Sequence, residues 1–338
     1  MRILIVLLSA ALCCRAQPEP VIFDTDCALF NDDGAALVML LQQPKKIEVL
    51  GMTLVPGNLW PSQGAEYMFR ILDLMRKPSL PVYFGARAPL VHTRAMAQQE
   101  DRQWGPIGYL GAFGSDPPPP KKNIERRASR KDAVEYMIDT ILQEPGPVTV
   151  LELGPMTNLA MAIRLHPEIE KKIKRLVFMG GSLHDRTTEG RGAEFNFWFD
   201  PEAAKIVLRS GIGQKIMFGL DICDHAPIDR AHFEQIAAVK TPIIALFRED
   251  MGKRFAKNPN GHTYVWDCLA AAYLLDPDFV TKRENIYLDV DTNFGKNYGA
   301  VIPLDRTLAP DATPVDVTLD LNFDRFFELY RSLLTKAP

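Results

Sequence analysis

Short apolar runs that alternate with helical stretches most limit how this chain of 338 residues can fold. The runs have little polar alternation, which is typical of strands buried on both faces, and such strands need covering helices and a mainly parallel sheet. The sequence therefore predicts an α/β fold with an open, mainly parallel sheet and helices on both faces. The predicted strands are residues 21–23, 47–55, 82–84, 148–151, 176–179 and 215–220, and the predicted helices are residues 34–41, 63–76, 156–165, 201–210 and 267–275.

The composition excludes several classes of protein. Hydrophobic residues make up 47% and charged residues 24% of the chain, as in ordinary globular proteins. Lys and Arg number 39 against 42 Asp and Glu, so the net charge is −3 and no basic excess exists to neutralise a phosphate backbone. We therefore expect no nucleic acid partner. No segment after the first residues is apolar enough to predict a membrane span.

The first residues have the pattern of a secretory signal peptide. Arg2 gives a positive start, the apolar run over residues 3–14 is too short to span a bilayer as a helix, and Ala16 offers a small residue for cleavage. We predict a signal peptide over residues 1–16 and a single domain over residues 17–338, secreted to the cell exterior or periplasm. Three cysteines would remain, and an odd number does not indicate a disulfide framework.

A long segment, residues 87–130, contains four consecutive prolines and little periodicity. These features are typical of a surface excursion and not of a linker between domains. We call it the excursion and expect that it could cover a site at the edge of the sheet.

Four aspartates stand within ten residues, between the first predicted strand and the first predicted helix. Asp24 and Asp26 follow the strand, and Asp32 and Asp33 precede the helix. In a parallel sheet ligands bind at this end, and crowded carboxylates need a cation, a proton or several hydrogen bonds. A helix N-terminus would account for the second pair but not the first, and the spacing is not that of an EF-hand. Oxygen donors without a His or Cys cluster favour Ca²⁺ or Mg²⁺ over zinc.

Six separated motifs resemble, in order, those of the nucleoside hydrolases, which cleave the N-glycosidic bond of ribonucleosides. The acidic cluster is similar to the family's aspartate signature, with two extra residues between its acidic pairs. The other motifs are Thr-Leu-Val-Pro-Gly-Asn at 53–58, Leu-Gly-Pro-Met-Thr-Asn at 153–158, Met-Gly-Gly at 179–181, Glu-Phe-Asn at 194–196 with Asp-Pro-Glu-Ala-Ala at 200–204, and Trp-Asp at 266–267. The resemblance covers nearly the whole chain after residue 16 and implies the family's α/β fold with a Rossmann-like core.

The resemblance also implies which residues hold the metal ion and the sugar. The Ca²⁺ ligands would be Asp26, Asp33, Asp267 and the main-chain carbonyl of Leu153. Asp26 would take a proton from the attacking water, and Asp24 would orient its neighbours. The ribose-binding residues would be Asp32, Asn58, Glu194, Asn196 and Asp267, with Met179 packed against the sugar. A further ribose-contacting Asn of the family has no counterpart in residues 183–192.

Tryptophans suggest how the base is bound. Trp266 precedes Asp267 at a position where the inosine–uridine-type branch of the family has a His. A Trp there resembles the inosine–adenosine–guanosine-preferring branch, in which indole rings stack on the purine and assist its departure. Trp104, on the excursion, is the best candidate for a second stacking residue. Trp198, between two Phe residues, is expected in the core, and Trp60 could line the pocket or merely seal it.

Three functional hypotheses follow. The first is a secreted, Ca²⁺-dependent purine nucleoside N-ribohydrolase in which Asp26, Trp266 and Asp267 are catalytic. The second is a broad or pyrimidine-preferring nucleosidase in which His184 or His262 protonates the leaving base. The third is a catalytically silent nucleoside- or sugar-binding protein on the same fold. The expected partner is a ribonucleoside, and related proteins suggest a homodimer or homotetramer.

Overall fold

The structure, a computed structural model, describes residues 17–27, 30–119, 121–184 and 192–338. The predicted signal peptide and most of the stretch at 183–192 lie outside the described residues. The strands are β1 (Glu19–Thr25), β2 (Ile47–Leu54), β3 (Val82–Phe84), β4 (Val148–Glu152), β5 (Ile173–Met179), β6 (Lys215–Phe218), β7 (Pro227–Asp229), β8 (His262–Tyr264), β9 (Val280–Ile286), β10 (Leu288–Val290), β11 (Val301–Pro303) and β12 (Val315–Leu321).

The helices fall between these strands and at the carboxyl end. They are α1 (Ala35–Leu41), α2 (Pro61–Leu74), α3 (Arg94–Trp104), α4 (Lys122–Arg127), α5 (Ala133–Gln143), α6 (Thr157–Leu165), α7 (Phe195–Phe199), α8 (Pro201–Leu208), α9 (Leu220–Cys223), α10 (Arg230–Ala237), α11 (Pro242–Lys257), α12 (Trp266–Leu275) and α13 (Phe323–Thr335). None of the helices in the described part of the chain has the length and apolar character that a membrane crossing requires.

One large sheet organises the described residues, with strand order β3-β2-β1-β4-β5-β6-β12-β9. Neighbouring strands run parallel from β3 to β12, and only the edge strand β9 runs antiparallel to its neighbour. In the middle of the sheet, Asp24 of β1 pairs with Thr53 of β2 and with Glu152 of β4. The predicted α/β fold with an open, mainly parallel sheet is confirmed.

Buried side chains cover both faces of the sheet. On β1, Val21 and Phe23 pack into a layer that contains α1, α2, α12 and α13, while Ile22 packs into the opposite layer with α5, α6 and α8. Each of these side chains is fully buried, and such burial contributes roughly 1.5–3 kcal/mol per residue. The strand ends are therefore held by rigid packing on both faces, which fixes the loops that follow them.

Among the differences from the predicted elements, one helix begins at an earlier residue and one edge strand was not predicted. The second predicted helix begins earlier, at Pro61, because proline suits the first turn of a helix and the side chain of Gln63 caps the backbone N–H of Trp60. The edge strand β9 was not predicted because most of its side chains are polar and exposed, so it has no buried periodicity.

The excursion contains two helices, α3 and α4, that the sequence analysis did not predict. Its packing onto α7 depends on a buried pair in which His92 Nε2 lies 3.2 Å from Glu100 Oε1. Trp198 Nε1 donates a 2.9 Å hydrogen bond to Glu100 Oε2, and His92 Nδ1 lies 2.9 Å from the carbonyl oxygen of Trp198. Because a carbonyl can only accept, Nδ1 of His92 carries a proton. Trp198 is a core residue, as predicted.

Candidate active site

A cavity of about 480 Å³ opens at the carboxyl ends of the parallel strands. Ligands bind at this edge of an open α/β sheet because the loops leading into helices meet there. The cavity is lined by Asp32, Asp33, Asn58, Tyr109, Leu153, Met179, Glu194, Phe195, Asn196, Leu220, Arg254, His262, Thr263, Tyr264, Trp266 and Asp267. Nine of the eleven site residues predicted from the sequence are in this set, and the two outside it are Asp26 and Trp104.

Four carboxylates form the acidic floor, which we define as Asp26, Asp32, Asp33 and Asp267. Asp32 and Asp33 lie on a π-helical turn, Phe30–Gly34, that leads into α1. Burial, and then the charge on Asp33, raises the pKa of Asp32 to about 8. Burial, followed by the charges of the other three acids, raises the pKa of Asp267 well above its usual range. The four groups are therefore close enough to oppose one another's ionisation.

Hydrogen bonds hold the acidic floor in place. The hydroxyl of Thr25 donates to Asp33, and the backbone N–H of Asp267 donates to Asp32 Oδ1 over 2.8 Å. Asp26 accepts two hydrogen bonds from Asn58, one at 2.7 Å from the backbone N–H to Oδ2 and one at 3.1 Å from Nδ2 to Oδ1. Asp26 thus lies behind Asn58 and does not line the cavity wall.

A glycine beside Asp26 permits this arrangement. A Cβ atom at Gly57 would lie 2.0 Å from Asp26 Oδ2 and 2.7 Å from Pro155, so any side chain there would displace the carboxylate. The close approach of the two segments explains why glycine precedes Asn58.

The donor chemistry of the acidic floor fits a hard divalent cation. All the metal-binding atoms that the floor offers are carboxylate oxygens, and their negative charges repel one another. Leu153, whose carbonyl was predicted as a ligand, also lines the cavity. The side-chain positions do not by themselves form a closed ligand set: within residues 17–27, 30–119, 121–184 and 192–338, no three His, Cys, Asp or Glu side chains are grouped as a metal site. Their oxygens accept the hydrogen bonds described above, and each carboxylate oxygen keeps a second lone pair with which it can also bind an ion.

A second buried acidic pair lies beneath the floor. Asp24 Oδ1 accepts a 2.9 Å hydrogen bond from Asn158 Nδ2, and Asn158 Oδ1 accepts from the backbone N–H of Ala86 at 2.9 Å. Burial, and then the charge on Asp24, raises the pKa of Glu152 well above its usual range. Asp24 is fully buried and does not line the cavity, its role in orienting its neighbours stays a prediction, and its partner Glu152 was not predicted.

Glu194 and Asn196 form one wall of the cavity. Glu194 caps α7: Oε1 accepts a 2.8 Å hydrogen bond from the backbone N–H of Asn196, and Oε2 accepts one of 2.8 Å from Gly181. Asn196 Nδ2 donates to the carbonyl oxygens of Met179, at 3.1 Å, and Leu153, at 3.3 Å. The wall therefore joins the ends of β4 and β5 to α7.

Burial raises the pKa of Glu194 to about 7, although backbone N–H groups at the cap lower it. Since this pKa is above the unfolded value, the stability it contributes is present at low pH and lost as pH rises through 7. We expect the free energy of unfolding of the wild type, relative to Glu194→Gln, to fall by about 1–3 kcal/mol between pH 5 and 8. Denaturant unfolding of both proteins at several pH values would measure this difference, and a difference independent of pH would contradict it.

Aromatic and basic residues line the opposite side of the cavity. The Trp266 ring lies nearly parallel to that of Tyr264, with centroids 5.8 Å apart and planes at 12°. His262 Nε2 lies 3.1 Å from the Tyr264 hydroxyl, and Arg254 Nη1 donates a 3.1 Å hydrogen bond to Thr263 Oγ1. Sequence reasoning missed Arg254, Thr263 and Tyr264, although the last two stand within four residues of the predicted Trp-Asp motif.

The two histidines predicted as alternative acids are placed differently. His262 lines the cavity, whereas His184 is not among the lining residues and its Nδ1 lies 3.0 Å from Asp221 Oδ1. Of the two, His262 is the one that lines the cavity in the described part of the chain.

The excursion contributes Tyr109 to the cavity instead of Trp104. Trp104 ends α3, and its ring centroid lies 5.4 Å from that of Phe294. Gly105, with φ of +93°, then turns the chain so that Tyr109 reaches the cavity, where its hydroxyl donates a 2.9 Å hydrogen bond to Asn58 Oδ1. Trp60 is buried, its Nε1 donates to the carbonyl oxygen of Ser115, and it does not line the cavity. It therefore packs against the excursion beside the cavity.

Comparisons with known proteins identify the family of this chain. A family model described as "Inosine-uridine preferring nucleoside hydrolase" matches residues 21–328. The pyrimidine-specific ribonucleoside hydrolase RihA of Salmonella schwarzengrund (strain CVM19633) is 32% identical over 320 residues, covering 92% of this chain and 96% of that protein. The pyrimidine-specific ribonucleoside hydrolase RihB of Shigella flexneri serotype 5b (strain 8401) is 30% identical over 308 residues, covering 88% and 92%.

A solved structure gives the same result. The purine-preferring ribonucleoside hydrolase from Gardnerella vaginalis superposes with a TM-score of 0.76 at 25% identity, covering 94% of this chain and 98% of that one. The match of the family model over nearly the whole described chain, the relatives above 30% identity and the acidic floor at the strand ends agree. The chain belongs to the nucleoside hydrolase family and is a hydrolase that acts on N-glycosyl compounds.

Proposed function

We propose that this chain is a Ca²⁺-dependent purine nucleoside N-ribohydrolase that converts a ribonucleoside and water to free base and ribose. The observation that carries the proposal is the cavity itself, which combines three acids of the floor with Trp266, an aromatic residue suited to a purine ring. Asp26, Asp33, Asp267 and the Leu153 carbonyl would hold the ion, which supplies a polarised water molecule when bound.

The residues of the chain account for the remaining chemistry. A carboxylate oxygen of Asp26 accepts one proton of the water, whose oxygen forms a bond to C1′ of the sugar. The C1′–N bond breaks, its electron pair leaves with the base, and the base takes up a proton from solvent. Positive charge develops on the ribose in the transition state, and the ionised side chains of Asp32, in the floor, and Glu194, in the wall, stabilise it. Asn196 and Asn58 complete the polar surface that binds the sugar hydroxyls.

The preference for purines rests on Trp266. Its ring is supported by Tyr264 in a nearly parallel arrangement, and an indole face provides a large stacking area for a bicyclic base. A second candidate is a pyrimidine-preferring activity. It is favoured by His262, which lines the cavity and could protonate the leaving base, and by the two relatives whose names specify pyrimidines.

Release of free ribose from inosine, adenosine, guanosine, uridine and cytidine tests the proposal. We expect the purine nucleosides to have the higher kcat/KM, and activity to disappear in excess chelator and return on addition of Ca²⁺. Binding of nucleosides without any base release would contradict the proposal and support a silent binding protein.

Two variants separate the candidate activities. If purines stack on Trp266, Trp266→Ala should lower kcat/KM for inosine about 10–100-fold while His262→Ala changes it little. The reverse order of effects, measured with uridine as the better substrate, would establish the pyrimidine-preferring alternative.

We also propose that the protein is secreted, on the basis of the signal pattern in residues 1–16, and that it assembles as a homodimer or homotetramer. Detection of the mature amino terminus near residue 17 in the secreted or periplasmic fraction would test the first proposal. Sedimentation of the purified chain would test the second.

A further inference from the structure

We infer that Tyr109 is a positioning residue for the hydrolysis: its hydroxyl fixes the side-chain amide of Asn58, and Asn58 in turn holds the carboxylate of Asp26. The inference rests on the proposed function, because it assigns Tyr109 a role in orienting the carboxylate that accepts the proton of water. Neither the sequence motifs nor the comparisons assign a role to Tyr109.

Three hydrogen bonds connect these residues. The Tyr109 hydroxyl donates to Asn58 Oδ1 over 2.9 Å, and Asn58 Nδ2 donates to Asp26 Oδ1 over 3.1 Å. The backbone N–H of Asn58 donates to Asp26 Oδ2 over 2.7 Å, so both carboxylate oxygens are held by the same residue. A carboxylate can only accept, so the Asn58 amide must present its nitrogen to Asp26 and its oxygen outward.

The outward oxygen is the atom that Tyr109 contacts. A rotated amide would point its oxygen at the carboxylate and lose the hydrogen bond from Nδ2. The carboxylate of Asp26 determines which end of the amide faces inward, because it can only accept, and the Tyr109 hydroxyl anchors the outer end by donating to the amide oxygen. One hydroxyl on the excursion therefore restrains the amide that fixes the carboxylate behind it.

Contacts of the backbone and ring place this hydroxyl. The backbone N–H of Ala112 donates to the carbonyl oxygen of Gly57 over 2.7 Å, so the loop carrying Tyr109 is bound next to Asn58. Gly111 has φ of +53°, and a Cβ there would lie 2.4 Å from the same carbonyl oxygen, so only glycine permits this approach. The Tyr109 ring packs against Phe195, with centroids 5.1 Å apart. Removal of the hydroxyl alone would leave these contacts in place.

Tyr109→Phe tests the role of the hydroxyl because it retains the ring and its contact with Phe195. We expect kcat to fall about 5–20-fold, since a small misplacement of a reacting group is costly, while KM stays within about two-fold and the melting temperature is unchanged. Tyr287→Phe is the matched control: it also removes one hydroxyl but keeps a ring that Arg306 covers outside the cavity, and its kcat should equal that of the wild type. An unchanged kcat for Tyr109→Phe, or a loss confined to KM, would overturn the inference.

A double-mutant cycle with Asn58→Ala shows whether Tyr109 acts through Asn58. If it does, Tyr109→Phe should have no further effect on kcat in the Asn58→Ala background. If Tyr109→Phe lowers kcat by the same factor in both backgrounds, the inference is overturned. The proposed function is unaffected by that result as long as the wild type is active. A wild type that hydrolyses no ribonucleoside in the same assay would overturn the proposed function, and the inference with it.

Discussion

Replacement of Asp267 by Asn should lower kcat about 10³-fold or more while leaving the fold at least as stable as that of the wild type. Asp267 lines the cavity, its backbone N–H donates to Asp32, and its carboxylate is close enough to the other three acids of the floor for their charges to raise its pKa. Loss of its charge removes a predicted ligand of the ion and part of the field that stabilises positive charge on the ribose. Steady-state kinetics on inosine would measure the loss.

Although Asp267→Asn loses activity, its free energy of unfolding should not fall. Burial and the neighbouring acids raise the pKa of Asp267, which means that the ionised carboxylate destabilises the folded protein without a cation. We expect the free energy of unfolding of Asp267→Asn, measured in chelator, to equal or exceed that of the wild type.

Asp289 offers a matched control among buried acids outside the cavity. It accepts hydrogen bonds from Arg209 Nε at 3.0 Å and Lys205 Nζ at 3.2 Å. Burial alone would raise the pKa of Asp289, but these basic partners lower it below its usual value. Asp289→Asn should therefore lose about 1–2 kcal/mol of stability and retain full activity. If Asp267→Asn instead kept more than a tenth of the wild-type kcat, the acidic floor would not be the catalytic centre.

Removal of the 2′-hydroxyl from the substrate should have an effect of similar size. We expect kcat/KM for 2′-deoxyadenosine to be about 10²–10⁴ lower than for adenosine, because a site built to hydrogen-bond a hydroxyl is left with buried unpaired groups when it is missing. Glu194 and Asn196, two of the predicted ribose-binding residues, are buried in the cavity wall. The two substrates share the same base, so stacking on Trp266 is unchanged. Equal turnover of the two would show that the sugar does not bind at these residues.

The sequence was sufficient to predict the convergence of the acids. Asp32 and Asp33 follow a strand of the parallel sheet, and the carboxyl ends of such strands meet at one edge. Asp267 follows a strand of a separate two-stranded sheet, and its convergence with the other acids was implied by the resemblance to nucleoside hydrolases. The resemblance to nucleoside hydrolases added Leu153 and Met179, whose apolar side chains would not otherwise suggest a polar site.

The contribution of the excursion could not be predicted in the same way. The resemblance implies a second stacking Trp and so favours Trp104, but the positive φ of Gly105 directs the next residues toward Asn58. Tyr109 follows in a stretch without periodicity, and its position depends on backbone contacts with Gly57 that leave no pattern in the sequence. The burial of Asp26 behind Asn58 likewise follows from tertiary contacts.

The position of Ca²⁺ in crystals grown with the ion tests the central claim most directly. The account predicts one ion bound about 2.3–2.6 Å from oxygens of Asp26, Asp33, Asp267 and the Leu153 carbonyl. An ion that binds away from these four residues, or no bound ion at saturating Ca²⁺, would contradict it.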